Sequence, residues 1–195
     1  MGFIKFIGLL MIGTAFGLAS GMTMGIPAAQ AQSFSASYKF LKSIKEVNYR
    51  EIKIAVEKGV NVNTRDYDDK TTPLIIATRM KEGPLAQYLL KSGAKPDLFG
   101  KDGRTPLVIA AGNGDRTIVA LLIKFRANLD MADKNGTTPL IAAVLARKNQ
   151  IVKLLLEQGA DHTLEDYSGR SPLQHARDNR RRRAVKLLEE AGATF

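Results

Sequence analysis

The chain of 195 residues contains no cysteine and only two histidines, His162 and His175. Without a thiol there is no disulfide, no thiolate metal site and no cysteine nucleophile. Acid is scarce as well: 19 Asp and Glu stand against 29 Lys and Arg, a formal charge of +10. That imbalance favours anionic partners and says nothing about fold. Aromatic residues are 7% of the total, so few rings are available to stack on bases. Hydrophobic residues are not lacking; at 45% they suffice to build a core in a chain of this length.

Charge is almost missing from the first 31 residues, where Lys5 is the single charged side chain and an apolar run extends from Phe6 through Leu18. This is the profile of a signal peptide. A small-residue stretch follows, then Pro27, then Ala29-Gln30-Ala31, an A-x-A pattern that predicts cleavage after Ala31. The alternative is an uncleaved anchor, because Phe6 to Ile26 is long enough at helical rise to span a bilayer. No cysteine follows the run, which excludes a lipoprotein anchor. Loss of residues 1–31 removes Lys5 alone from the basic side and leaves 28 basic against 19 acidic residues, so the positive charge belongs to the folded part. An exported domain without disulfides must be held by packing alone.

A repeat supplies that packing. Thr72-Pro73-Leu74-Ile75-Ile76-Ala77 returns as Thr105-Pro106-Leu107-Val108-Ile109-Ala110, as Thr138-Pro139-Leu140-Ile141-Ala142-Ala143 and as Ser171-Pro172-Leu173-Gln174-His175-Ala176, each step 33 residues. In each unit a hydroxyl able to cap a helix precedes a proline whose fixed φ suits the first turn. About ten residues on, after a polar break, a second apolar series occupies one helical face: Leu85/Leu89/Leu90, Ile118/Leu121/Leu122, Ile151/Leu154/Leu155 and Ala184/Leu187/Leu188. Gly93, Gly159 and Gly192 end these second helices, where the backbone enters the left-handed region.

This pattern resembles the ankyrin-repeat family, strongly over residues 66–195. The Thr-Pro-Leu series, Gly159-Ala160-Asp161, and the Asp-x-x-Gly turns at Asp133 to Gly136 and Asp166 to Gly169 carry the resemblance. It implies an all-α solenoid of about five helix-turn-helix units joined by β-hairpin fingers. The expected divisions are a signal peptide at 1–31, a degenerate capping repeat at 34–65, repeats at 66–98, 99–131 and 132–164, and a C-terminal capping repeat at 165–195. Helices in the first cap are expected near Tyr38–Val47 and Tyr49–Lys58.

Four departures from the family pattern stand out. Ile75, Val108, Ile141 and Gln174 replace the signature His, whose hydrogen bond between units must be lost or replaced by packing. Arg126 stands where Gly would end a helix, a strain of roughly 1 kcal/mol. Lys70 replaces the turn Gly of the first full unit. The interval from Gly59 to Thr72 holds one residue more than the later intervals, so the first finger must bulge. At the far end, Arg180-Arg181-Arg182-Arg183 opens the last helix against its dipole, as a solvated cap or as an anchor for an acidic surface.

Chemistry is hard to find. A triad needs a base beside a serine, and neither histidine is placed for it: His175 adjoins the signature slot and packs along a helix, His162 lies in a finger approach, and Ser171 is a cap. There is no phosphate loop, dinucleotide fingerprint or H-E-x-x-H pattern, and Gly112-Asn113-Gly114 reads as a turn. Asp66, Asp68 and Asp69 sit together but lack the ordered ligand ladder of a calcium loop. No cofactor, no metal and no catalytic residue are expected.

The resemblance implies a concave binding surface made of finger tips and first helices. Its slots fall on Tyr67; Arg79, Met80 and Lys81; Lys101, Arg104 and Asn113; Lys134, Arg147 and Lys148; Tyr167, Arg170 and Asn179. That groove reads as basic with a tyrosine near each end, and Tyr and Arg are the residues that most often dominate interface energy. The expectation is an exported, periplasmic, monomeric binding module for a protein with an acidic surface. A dedicated inhibitor or immunity protein is the alternative. Nucleic acid is disfavoured by export and by the shortage of rings, and membrane contact is expected only through an uncleaved N-terminal segment.

Overall fold

A computed structural model describes residues 28–194. Among them are ten helices and no strand: α1 (Ala28–Lys45), α2 (Tyr49–Glu57), α3 (Pro73–Arg79), α4 (Gly83–Lys91), α5 (Pro106–Asn113), α6 (Arg116–Lys124), α7 (Pro139–Leu145), α8 (Asn149–Glu157), α9 (Pro172–Asp178) and α10 (Arg182–Glu190). They pair in sequence, odd with even, into five stacked antiparallel units.

The helix starts follow from the repeat. Thr72, Thr105, Thr138 and Ser171 adopt extended backbone, and each hydroxyl accepts a hydrogen bond from the N–H three residues on at 3.2–3.3 Å. In the last unit the Ser171 N–H also donates to Gln174 Oε1 at 2.7 Å, completing a reciprocal capping box. The prolines at the next position give up an N–H that the first turn leaves unpaired in any case.

One residue in each unit sets how closely the units stack. Ala77, Ala110, Ala143 and Ala176 are fully buried at the 33-residue interval, and their small side chains let the inner helices α3, α5, α7 and α9 approach one another. The outer helices α4, α6, α8 and α10 pack less closely, so the stack curves toward its inner side. Outer helices insert Leu85/Leu89, Ile118/Leu122, Ile151/Leu155 and Ala184/Leu188, all essentially inaccessible, between the layers. Full burial of one such leucine is worth about 1.5–3 kcal/mol.

Where the family pattern is broken, packing and polar staples take over. Ile75, Val108 and Ile141 are buried in the signature slot. Units are instead tied by side chains leading into the next finger. Asn63 accepts from the Lys95 N–H at 2.8 Å and donates to the Gly93 carbonyl at 3.0 Å. Asp97 and Asp130 accept from the Asn128 and Asp161 N–H groups, both at 2.9 Å.

The fingers differ from the expected β-hairpins. Each is a turn closed by one backbone bond, from the N–H of Asp66, Gly100, Asp133 or Asp166 to the carbonyl of Thr71, Arg104, Thr137 or Arg170. Inside the last three fingers the one further backbone bond is the tight turn's own, from the N–H of Gly103, Gly136 or Gly169 to the carbonyl three residues back, so no ladder forms to register as strand. The first closes over one residue more than the others, the bulge expected from its spacing, and Lys70 sits there at φ 57°.

The first helix begins well before the expected Tyr38. Ala28 to Gln32 are mostly good helix formers with no interruption before Tyr38, so the helix continues back through them. Most of the expected signal peptide lies outside the described residues, and the expected cleavage point after Ala31 falls in the first turn of α1. No described helix is long and apolar enough to cross a membrane.

Candidate binding surface

An inner helix of seven or eight residues separates each finger from the turn that leads into its outer helix. At helical rise that is about 10–12 Å. The sequence-predicted residues therefore fall into two groups. Tyr67, Lys101, Arg104, Lys134, Tyr167 and Arg170 stand on fingers. Met80, Lys81, Asn113, Arg147, Lys148 and Asn179 stand at the helix-turn rim. Eleven of the thirteen, Arg79 among them, are exposed, while Asn113 and Lys148 are half-buried.

Arg79 belongs to the rim by sequence and to the fingers by contact. Its guanidinium reaches back along α3 to Asp69 at 3.4 Å and Asp102 at 3.5 Å, bridging the first and second fingers. Arg104 pairs with Asp102 at 2.7 Å, and Arg170 approaches Asp178 at 4.0 Å. Lys45 of α1 holds Asp66 at 2.9 Å. Counting Arg65 to Lys70, Lys101 to Arg104, Asp133-Lys134 and Glu165 to Arg170, the fingers carry seven carboxylates against six cations. The basic groove expected from the sequence is thus close to neutral at its finger end, where Arg79, Arg104 and Arg170 each face an aspartate. Lys101 and Lys134 have no ion-pair partner among the described residues.

Two features of the finger end favour contact with another molecule. Tyr67 and Tyr167, on the first and last fingers, are 85% and 79% exposed. Beside Tyr67, a groove of about 690 Å³ runs between the first finger and α1, lined by Tyr38, Leu41, Lys42, Lys45, Arg65 and Lys70. Tyr38 is also exposed, and the Lys70 ammonium lies 5.1 Å from the Tyr67 ring centroid. The sequence reading missed Tyr38, Lys42 and Lys45 because the first unit has no Thr-Pro start from which to count its slots. Their spacing along one face of α1 was the available signal.

The tyrosines stand on a rigid support. The Arg65 guanidinium donates to the Phe99 carbonyl at 2.6 Å and lies over the Phe99 ring. The Lys101 N–H donates to the Asp69 carbonyl at 2.8 Å, and the Tyr167 N–H to the Asn135 carbonyl at 3.1 Å, joining fingers in pairs. At the second junction a Cβ on Gly136, where φ is 78°, would meet the Tyr167 nitrogen at 2.6 Å, so only glycine allows this approach.

The sharpest polar cluster is in the last unit. Asp166 Oδ2 accepts from His175 Nε2 at 2.7 Å, and Oδ1 accepts from the Ser168 and Arg170 N–H groups and the Ser168 hydroxyl. Burial alone would raise the Asp166 pKa; these hydrogen bonds outweigh it and hold the carboxyl well below the usual carboxylate range. The arrangement is not a nucleophilic triad. Ser168 bonds to the carboxylate and not to the imidazole, whose Nδ1 is buried without a partner among the described residues. His162 Nδ1 is also buried without a partner among the described residues. Among the described residues no group of three or more His, Asp or Glu is placed to hold a metal.

The rim presents a different chemistry. Lys81, Arg147 and Arg180 occupy left-handed backbone at φ 60°, 60° and 54°, at the position where the third unit has Gly114 at φ 74°. The sequence reading did not identify this series, because glycine marks it in one unit only. Removing the side chain at that unit has a visible use: a Cβ on Gly114 would lie 2.5 Å from Lys148 Cδ, so the Lys148 stem crosses the space glycine leaves.

Residues 96–166 match the family model described as ankyrin repeats in three copies. No curated protein matches the chain.

Proposed function

We propose that this ankyrin-repeat chain is an exported, non-catalytic module that docks a partner protein on its finger-and-inner-helix surface. The observation that carries this reading is the pair of tyrosines, Tyr67 and Tyr167, raised almost fully into solvent at the two ends of a braced row of fingers. Exposed rings on rigid supports bring large contact area at low entropic cost. Ankyrin repeats are in general protein-interaction modules, and the covered surface would span all four fingers. Lys101 and Lys134, free of carboxylates among the described residues, give this face its preference for an acidic partner surface. Export is supported by the apolar run from Phe6 through Leu18 and by Ala29-Gln30-Ala31; sequencing the N-terminus of the native protein tests it, with a start at Gln32 expected.

The docking face is tested by placing a photo-crosslinking residue at Tyr67, Tyr167 or, as a control, Lys91 on the outer helix α4. The same crosslinked protein is expected from 67 and 167 and none from 91. Equal capture at 91, or different proteins from the two fingers, contradicts the reading. Tyr67→Ala and Tyr167→Ala should each weaken the complex by about 1–2 kcal/mol.

A further inference from the structure

The five turns between inner and outer helix differ in charge in a graded way. The first holds Glu46, Arg50 and Glu51, the second Lys81 and Glu82, the third Asp115 and Arg116. The fourth holds Arg147 and Lys148 with no acid, and the fifth Arg180-Arg181-Arg182-Arg183 with no acid. None of these cations in the last three turns has an ion-pair partner among the described residues. The finger end of the same units is neutralised; the rim is not.

Shape accompanies charge there. A cavity of about 350 Å³ lined by Gly114, Arg147, Lys148, Gln150, Ile151 and Arg183 adjoins a second of about 360 Å³ that adds Arg116, Lys153 and Leu154. The two share Gln150 and Arg183, so they form one trough across the starts of α6, α8 and α10. Its walls are cationic, and buried Ile151 and half-buried Leu154 lie in its floor. The single acid in it, Glu157, pairs with Lys153 at 3.7 Å. The helices that open onto it reinforce its sign. Asp115 caps α6, but the N-cap residues of α8 and α10 are Lys148 and Arg181, which make no side-chain cap bond and leave the positive helix ends unscreened. Arg181 Nε is buried and without a hydrogen-bond partner among the described residues.

We infer that this trough is a second binding surface, separate from the finger face, and that it takes an extended Asp/Glu-rich segment of a partner protein. Charge complementarity names the class, and three observations narrow it. The chain's own acids offer no free segment of this kind: the richest stretch, Asp66 to Asp69, is held on the first finger by Lys45 and Arg79, and residues 1–27 contain none. A single-stranded nucleic acid would want rings to stack on, and no aromatic residue lines either cavity. A bilayer is flat, whereas the cations face each other across a concavity with apolar groups at its bottom, which suits carboxylates alternating with small side chains along one strand.

The test is fluorescence anisotropy of the full chain with a labelled peptide of alternating Glu and Ala, beside a Lys-Ala peptide, oligo-dT and phosphatidylglycerol vesicles. The Glu-Ala peptide is expected to bind, with affinity falling as salt rises, and the Lys-Ala peptide is not. The double variant Arg147→Glu/Arg183→Glu should weaken binding by about tenfold or more, and Arg147→Gln/Arg183→Gln by a smaller factor. Arg79→Glu/Arg104→Glu on the finger end should leave it within about twofold. Absence of peptide binding, equal loss from the finger variants, or tighter binding of oligo-dT or vesicles through the same two arginines overturns the inference. Because the finger-face crosslinks do not pass through the trough, either surface can fail without the other.

Discussion

The two ends of the inner helices use arginine in opposite ways. At the fingers, Arg79 and Arg104 converge on Asp69 and Asp102, so their charge is spent inside the protein, bracing one finger against the next. At the rim of the last two units, Arg147 and Arg180 to Arg183 have no such partners among the described residues and stand on strained turns or unscreened helix starts. A net charge of +10 therefore misleads if spread evenly over the surface. The cations whose side chains reach a finger aspartate are structural, whereas Lys101 and Lys134 on the fingers and the arginines of the last two rim turns are left to act on something else.

If that division holds, changing finger polar groups should alter stability, and replacing rim cations should alter binding with stability unchanged or raised. The largest stability effect is expected at Asp166, where Asp166→Ala removes four hydrogen bonds and strands a buried His175. It should lower stability by about 3 kcal/mol in chemical denaturation.

The same carboxyl gives the comparison a pH dependence. Its folded pKa lies below the ordinary value of 3.8, so its contribution is fully present above that value and is lost as pH falls through the lower folded value. Lys45 moves the other way, raised by the hydrogen bond its ammonium donates to Asp66 against the cost of burial. Its contribution is present below 10.5 and fades as pH rises through the higher folded value, but the side chain is more than half exposed, so the effect is small. Thermal melts should be level from about pH 5 to 9 and fall on the acid side. Asp166→Asn should flatten that acid limb, whereas Arg147→Gln should leave its shape alone.

Smaller effects separate the rim further. Arg147→Gly and Arg180→Gly relieve left-handed backbone and should each stabilise by up to about 1 kcal/mol while weakening capture of an acidic peptide. Gly114→Ala should do the reverse, costing about 1 kcal/mol and pushing the Lys148 stem aside. Smallest of all, Arg104→Ala removes an exposed ion pair and should cost less than about 1 kcal/mol.

Much of the fold was legible because the signals are local. A hydroxyl, a proline and an apolar triplet recur in phase, and the caps at Thr72, Thr105, Thr138 and Ser171 form where that pattern places them. The left-handed end at Arg126 and the bulged first finger also follow from counting against the repeat. The rest depends on contacts that a period does not encode. Lys81, Arg147 and Arg180 give no sign of left-handed backbone, since only Gly114 in that series shows it. The pairing of Asp166 with His175 needs a finger folded back on its own helix, and it arises once, because Asp133 in the preceding unit faces Ala142 at the matching position. The ion pairing that neutralises the fingers is also a matter of side-chain reach: Arg79 was placed on the right helix, but its guanidinium points away from the turn.

Hydrogen-exchange mass spectrometry of the full chain, with and without the Glu-Ala peptide, tests the separation of the two ends most directly. Added protection at residues 146–154 and 179–187, with no change at 65–71 and 165–170, is the predicted result; protection concentrated in the fingers would contradict it.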